Sequence, residues 1–387
     1  KKIYPAVLAS SDVLQQTSSL ASLGYLPPNL SVVAFQGDVI NNSASTLLPA
    51  ADGQLELLAK NSVQMNAAIT MSDRDPALIA SAVRPVSLPS QILASQVHAA
   101  TPVHVGDSKP VRIYANEGDV KGLATATAVT APKSVAVRSG RDVRDFTIQA
   151  QHPNAGDRSV IEAGRDVVFS AGANRSDTQG IFIGGPGRIE VTAGRNIDLG
   201  TSGGIVSRGD LDNPGLASGG ADIQVLAGAG AAGLDVAGAI NRLTARLAAG
   251  AADESTLWLA RWLTGNNQLN AGNALAAVRT VATQGTDAQR DSVRNLVFAA
   301  LRQTGRDANK ADSGFAGDFA RGYAALELVF PGIGEKNSDG SFKNYKGDIN
   351  LFASRIKTER NGNIEFMIPG GEMIVGRANT SDALVNP

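Results

Sequence analysis

The sequence lacks cysteine altogether and is poor in histidine and aromatic residues. Its 387 residues contain no cysteine, three histidines and only 5% aromatic side chains. Without cysteine, the chain has no disulfides, no thiolate catalysis and no cysteine metal site. The absence is compatible with secretion through a bacterial periplasm, where unpaired thiols would oxidise.

The chain also lacks an excess of charge and a long apolar run. The 35 lysines and arginines balance 36 aspartates and glutamates, which leaves a net charge of −1. Because no basic excess exists to displace counterions, we expect no nucleic acid and no anionic membrane among the partners. No apolar run reaches the length of about 18 residues that a membrane span needs, so we expect no transmembrane helix.

Neither end of the sequence carries a recognisable signal. Lys1 to Pro5 lack the apolar core of a signal peptide, and the sequence stops at Asn386-Pro387 without a cap. We therefore expect it to be a piece of a longer chain.

The most informative pattern that is present is a short glycine-led block, each copy of which leads into a β-prone run. The clearest copies are Ser139-Gly140-Arg141-Asp142-Val143, Ala163-Gly164-Arg165-Asp166-Val167 and Ala193-Gly194-Arg195-Asn196-Ile197. A turn and a strand that recur every ~20–30 residues are typical of a β-solenoid. We expect the glycines to supply positive φ angles at the corners. The predicted inward side chains are Val143, Ile148, Val167, Ile189, Val191, Ile197 and Leu199.

The same block returns after a stretch with helical spacing, so the helices are predicted to interrupt one array. We expect a mainly β fold, a parallel β-helix of ~10–14 coils with an α-helical insertion. The predicted helix signals are an Asp253 N-cap, a Gly265 C-cap, a Thr286–Gln289 capping box and a helix end before Gly305. The predicted divisions are an N-terminal connecting segment 1–30, β-helix 31–228 with a proline-rich excursion at 73–110, helical insertion 229–333, and β-helix resumed at 334–387.

Several segments, in order, resemble the carboxy-terminal part of the filamentous-haemagglutinin family of large bacterial exoproteins. They are Gly37-Asp38-Val39, Met71 to Pro76, Val111 to Ala115, Ala163 to Val167, Gly185 to Gly200 and Gly347 to Leu351. The resemblance covers most of the chain, helices included.

The resemblance implies a right-handed parallel β-helix and an adhesin that is secreted to the bacterial cell surface, where it is associated with the outer membrane. It also implies export by two-partner secretion, with an outer-membrane translocator as partner, although the family's amino-terminal secretion domain is not present here. The expected function is a non-catalytic, rod-like scaffold that binds a host receptor or a biofilm exopolysaccharide. The alternatives are a purely structural stalk or passenger-export segment and, third, a glycan-binding or glycan-cleaving β-helix.

Candidate site residues are few, and no catalytic residue, metal site or cofactor is predicted. Arg208-Gly209-Asp210, in a predicted turn, is a candidate ligand contact of the integrin-binding type, or else a structural Gly-Asp corner. The arginines after the turn glycines predict either a basic ladder for an anionic polysaccharide or ion pairs with neighbouring aspartates. The three histidines are predicted to lie on the surface.

Overall fold

The protein, seen in a computed structural model that describes residues 2–3, 24–76, 98–251 and 253–376, has two units. Residues 1–231 with 346–387 make up a β-sheet unit, and residues 232–345 make up a helical unit. The predicted helical insertion is therefore a unit of its own.

The strands of the β-sheet unit are short. In chain order they are β1 (Lys2–Ile3), β2 (Tyr25–Leu26), β3 (Asn29–Ala34), β4 (Val39–Asn41), β5 (Ser45–Leu47), β6 (Gln54–Ala59), β7 (Val63–Met65), β8 (Ile69–Met71), β9 (Val111–Ala115), β10 (Val120–Lys121), β11 (Val129–Ala131), β12 (Val135–Ser139), β13 (Val143–Arg144), β14 (Ile148–Gln151), β15 (Arg158–Ala163), β16 (Val167–Val168), β17 (Ile181–Gly184), β18 (Arg188–Ala193), β19 (Ile197–Asp198), β20 (Ile205–Gly209) and β21 (Asp222–Leu226). After the helical unit they continue as β22 (Ile349–Leu351), β23 (Ile356–Thr358), β24 (Ile364–Met367) and β25 (Met373–Val375).

These strands form three parallel sheets, so the predicted β-helix is confirmed. Sheet A stacks β1, β4, β7, β10, β13, β16, β19, β22 and β25; sheet B stacks β2, β5, β8, β11, β14, β17, β20 and β23; sheet C stacks β3, β6, β9, β12, β15, β18, β21 and β24. Each coil visits sheets C, A and B in turn, so the 21 strands from β3 to β23 make seven full coils. The described residues hold fewer coils than the predicted 10–14, because long loops take up residues between strands.

Rows of apolar side chains fill the space between the sheets. One row runs through sheet A in register, and each of its members is at most 2% exposed: Val39, Val63, Val120, Val143, Val167, Ile197 and Ile349. All seven predicted inward side chains belong to the core cluster. Alternation along each strand puts every second residue inward, which is why short apolar runs sufficed to predict the core.

A ladder of side-chain hydrogen bonds runs along the corner between sheets C and A, here called the C–A corner. At each step a side-chain oxygen accepts from the backbone N–H of the equivalent residue one coil further on. Asp142 Oδ1 accepts from Asp166 N at 3.2 Å, and Asp166 Oδ1 accepts from Asn196 N at 3.0 Å. The remaining steps join Asp38 to Ser62, Ser62 to Asp119, Asp119 to Asp142, Asn196 to Asp348 and Asp348 to Glu372.

The glycines of the C–A corner are required by close packing, and the predicted positive φ is not found at Gly140, Gly164 or Gly194. A Cβ on Gly164 would lie 2.3 Å from the carbonyl oxygen of Gly140, and a Cβ on Gly194 would lie 2.1 Å from that of Gly164. Any side chain there would force neighbouring coils apart.

The arginines of the C–A corner pair with aspartates of the preceding coil. Arg165 contacts Asp142 through Nε at 3.0 Å and Nη2 at 2.6 Å, and Arg144 contacts the same carboxylate at 2.5 Å. Burial alone would raise the pKa of Asp142, but the hydrogen bonds from Arg165 and Arg144 lower it below its usual range. Of the two predicted arrangements, the structure has the ion pairs.

Asp142→Ala is expected to lower the free energy of unfolding by about 3 kcal/mol, because it leaves two arginines and the Asp166 N–H without their acceptor. Asp142→Asn should cost less, since an amide oxygen still accepts from the Asp166 N–H. The matched control is Asp38→Ala at an exposed step of the same ladder. Urea unfolding followed by circular dichroism measures all three variants. Equal losses for Asp142→Ala and Asp38→Ala would contradict the added contribution of burial and the two arginines at Asp142.

The helical unit has five helices among its described residues: α1 (Val236–Ala248), α2 (Glu254–Thr264), α3 (Ala274–Ala282), α4 (Thr286–Ala308) and α5 (Ala320–Val329). The predicted caps of α2 are confirmed, since Asp253 accepts from Thr256 N and Gly265 is left-handed at φ 66°. The predicted Thr286–Gln289 capping box is wrong: Gly285 is the N-cap, and Gln289 binds the Ala282 and Gln284 carbonyls. The predicted end before Gly305 is also wrong, because α4 continues to Ala308.

The boundaries of the β-helix and of the helical unit differ by a few residues or more from those predicted from the sequence. Strands β1 to β3 already pair within sheets A, B and C, so the predicted connecting segment 1–30 contributes to the β-helix. Residues 334–345 belong to the helical unit, where the Tyr345 ring meets the Phe330 ring edge-on at 5.2 Å.

The described end of the proline-rich excursion packs against the β-helix; residues 77–97 lie outside the described residues. His104 is 1% exposed and contacts Asp107, which also binds the buried Lys133 ammonium. Lys133 donates to the Gly53 carbonyl at 3.1 Å as well. Burial lowers the pKa of both His104 and Lys133. The predicted surface position of His104 is wrong.

His152 is buried too, inside a hydrogen-bond chain that links three coils. Its Nδ1 donates to the Pro186 carbonyl at 2.8 Å, and its Nε2 accepts from the Ser159 hydroxyl at 2.7 Å. The Ser159 oxygen in turn accepts from Val135 N at 3.0 Å. This arrangement uses neutral imidazole, and burial lowers the pKa of His152 to about 4.

The buried neutral His152 makes the protein acid-sensitive. The unfolded chain takes up this proton near an ordinary pKa of about 6.5, whereas the folded chain resists it until about pH 4. The stabilisation is therefore complete above pH 6.5 and is lost as the pH falls. Between pH 7 and pH 5, His152 is expected to account for a loss of about 2 kcal/mol.

His152→Asn should be less stable than the native chain at pH 7 and should lose about 2 kcal/mol less between pH 7 and pH 5. Urea unfolding at the two pH values measures this. Equal pH dependence in the two chains would contradict a neutral buried His152.

Candidate functional site

The candidate site is a groove of about 520 Å³ on the outer face of sheet B. This volume falls within the range of small-molecule binding sites. Its floor crosses the five neighbouring strands β8, β11, β14, β17 and β20. The described lining residues are Thr70, Met71, Ser72, Asp73, His98, Thr130, Pro132, Gln149, Ala150, Gln151, Phe182, Gly184, Arg208, Leu211, Asp212, Asn213 and Leu216.

The floor follows from strand register. Thr70, Thr130, Gln149 and Phe182 are paired in sequence across β8, β11, β14 and β17. Their neighbours along each strand point into the core, so these four point outward. The result is a row of side chains at the strand spacing of ~4.8 Å.

A β-bulge brings Arg208 to the groove. Ile183 pairs with Ser207 and Gly184 pairs with Gly209, so Arg208 has no partner residue on β17. An extra residue of this kind bends a strand and redirects its side chain. The Arg208 guanidinium lies over the Phe182 ring, 4.3 Å from its centroid, and Nη1 donates to Asp212 Oδ2 at 2.7 Å. Phe182 is therefore only 2% exposed although it points outward.

A network of polar side chains forms the opposite wall and fastens the loop after β20. His98 Nδ1 lies 2.5 Å from Asp73 Oδ2, and His98 Nε2 lies 3.0 Å from the Asp212 carbonyl oxygen. Gln151 donates to the same Asp73 oxygen at 3.2 Å and accepts from Asn213 Nδ2 at 3.0 Å. The contacts tie the excursion, β14 and the loop together.

The described lining residues carry no net positive charge, because the single arginine among them is accompanied by two aspartates. Arg208 donates to Asp212, and His98 contacts Asp73. The groove is polar without being strongly basic or acidic.

The structure separates the three residues of the predicted ligand contact. Arg208 and Gly209 end strand β20, so the predicted turn is wrong for them. Arg208 lines the groove, whereas Asp210 faces Arg360 on the following coil at 3.3 Å. Gly209 has a φ of 58°, and its carbonyl accepts from Gly185 N at 2.6 Å. The ligand role of all three stays a prediction.

Sequence reasoning missed most of the groove. Asp73, His98 and Gln151 come from three separate stretches, and their meeting depends on coil register and on the path of the excursion. His98 is one of the histidines predicted on the surface, and its side chain is only 12% exposed. No local pattern marks these residues.

Within the described ranges, no group of three or more histidine, aspartate or glutamate side chains is arranged to hold a metal ion. None of the described helices combines the length and the apolarity that crossing a membrane requires.

Comparisons with protein-family models, with curated proteins and with solved structures found no match to this chain. The family resemblance therefore rests on the sequence motifs alone.

His98→Ala is expected to loosen the loop after β20, because the contacts of His98 with Asp73 and with the Asp212 carbonyl are lost. The backbone amides of residues 211–213, 215 and 216 should exchange with solvent about tenfold faster. The β14 amides should be unaffected, which serves as the internal control. Unchanged exchange in the loop would mean that Asn213 and Leu216 hold it without the histidine.

Proposed function

We propose that this chain is part of a secreted bacterial surface adhesin, non-catalytic, in which the β-helix is a stiff scaffold and the sheet B groove contacts the ligand. The observation that carries the proposal is the groove itself, built on five stacked strands and lined by polar side chains. The proposed ligand is either a molecule on the surface of a host cell or a biofilm polysaccharide.

The mechanics of the fold support the scaffold role. Every strand except those at the ends of the sheets pairs with a neighbour above and a neighbour below, and the C–A corner adds a side-chain hydrogen bond at each step. Such a stack resists bending and separation, because coils separate only when whole rows of hydrogen bonds break together. A stiff body that presents a side groove suits attachment.

Export by two-partner secretion through an outer-membrane translocator, and a location at the cell surface in association with the outer membrane, belong to the same proposal. Their support is the sequence resemblance and the lack of cysteine.

The competing hypothesis is that the groove is a catalytic site. Its two carboxylates are each engaged by a neighbouring side chain: Asp73 by His98 and Asp212 by Arg208. A glycosidase needs one carboxyl group held as an acid and a second one free to act as base or nucleophile. The pairing therefore favours binding over cleavage.

The test is attachment of beads coated with the whole chain to cultured host cells and to surfaces coated with biofilm exopolysaccharide. The expected result is attachment well above that of albumin-coated beads to at least one surface, and a loss with Arg208→Ala. The matched control is Arg141→Ala, an exposed arginine of the C–A corner.

Absence of attachment to both surfaces would contradict the adhesin and favour a purely structural stalk. New reducing ends in the polysaccharide after incubation with the protein would contradict the proposal that the protein is non-catalytic.

A further inference from the structure

We propose that the groove on sheet B binds a neutral, hydroxyl-rich glycan chain that lies along the β-helix axis; this rests on the adhesin role proposed above. The inference joins three properties of the groove: its direction, its charge and its inventory of hydrogen-bonding groups.

The direction follows from the strands. The groove runs across β8, β11, β14, β17 and β20, which is four strand spacings or about 19 Å. An extended sugar chain repeats at a length close to one strand spacing, so successive sugars meet equivalent outward positions on successive coils. Thr70, Thr130 and Gln149 occupy such positions.

The charge balance selects the class of glycan. Arg208 and His98 are each paired with a carboxylate within the groove wall, at 2.7 Å and 2.5 Å respectively. A polyanion would need unpaired cations to replace its counterions and its water. The described lining residues offer no net positive charge, so an acidic polysaccharide gains nothing there.

The hydrogen-bonding groups fit hydroxyls. A hydroxyl both donates and accepts, so it needs both kinds of partner. Arg208 uses one Nη for Asp212 and has further N–H donors, while Asp73 and Asp212 each bind these partners through Oδ2 and retain Oδ1 as acceptor. Leu211, which is 49% exposed on the groove rim, offers an apolar contact for the C–H face of a sugar ring.

An extended peptide is a weaker fit. A peptide gains affinity by adding a strand to a free sheet edge, where backbone groups are unpaired. The groove floor is the face of a sheet whose five strands are bonded on both sides. Only side chains are available there, and they do not repeat a peptide's hydrogen-bond pattern.

The test is binding of the whole chain to a panel of neutral polysaccharides (a β-glucan, a galactan, a mannan) and acidic ones (polygalacturonate, alginate, heparin). We expect at least one neutral polysaccharide to bind, with an affinity that changes less than about twofold between 50 mM and 500 mM salt. Arg208→Ala should weaken that binding at least about tenfold, and Arg208→Lys should not restore it, because lysine lacks the planar fork.

The control is Arg141→Ala, which removes the same charge outside the groove and should bind as the native chain does. All variants are first compared by circular dichroism and urea midpoint, so that a loss of fold is recognised. Leu211→Asp, on the exposed rim, provides a second variant that should weaken binding without touching the Arg208–Phe182 stack.

Four results would overturn the inference. Preference for an acidic polysaccharide, with affinity that falls steeply with salt, would mean an anion site. Neutral binding that survives both Arg208→Ala and Leu211→Asp would put the site elsewhere. Attachment to cells without binding to any polysaccharide would contradict the glycan inference but not the adhesin proposal. Neither attachment nor polysaccharide binding would contradict both.

Discussion

The close stacking of coils at the C–A corner is the constraint on which the rest of the β-helix depends. Where the chain turns from sheet C to sheet A, backbone N–H groups leave the strand ladder and need another acceptor. Asp142, Asp166 and Asn196 supply it from the preceding coil. The coils are close enough for this only because Gly164 and Gly194 have no Cβ. The glycine-led block is thus the part of the sequence that sets the spacing between coils.

That spacing also determines the groove. Once the coils are in register, outward residues of sheet B line up whether or not they are near in sequence, and Gln149 comes to lie beside Phe182. The bulge at Arg208 then adds one side chain that the regular pattern would not provide. The repeat builds the scaffold, and departures from the repeat build the site.

The repeat was readable in the sequence because it is local: a turn glycine, an acidic residue and a short apolar run predict the coil, the core row and the interruption by helices. The groove could not be predicted from the sequence, because Asp73, His98 and Asp212 meet only through the path of the excursion and of the loop after β20. The tripeptide Arg208-Gly209-Asp210 makes Arg208 a candidate in the sequence, yet its neighbours in space are Phe182 and Asp212. The histidines were misjudged because hydrogen bonds across coils bury His104 and His152.

The central claim is that ligand contact occurs in the groove on sheet B. The most direct measurement is a crystal structure of the whole chain with a bound neutral oligosaccharide. The account predicts sugar density along the axis over Gln149, Gln151 and Arg208, with ring hydroxyls within hydrogen-bond distance of the Arg208 guanidinium. Density confined to the helical unit or to the C–A corner, with the groove filled only by water, would contradict it.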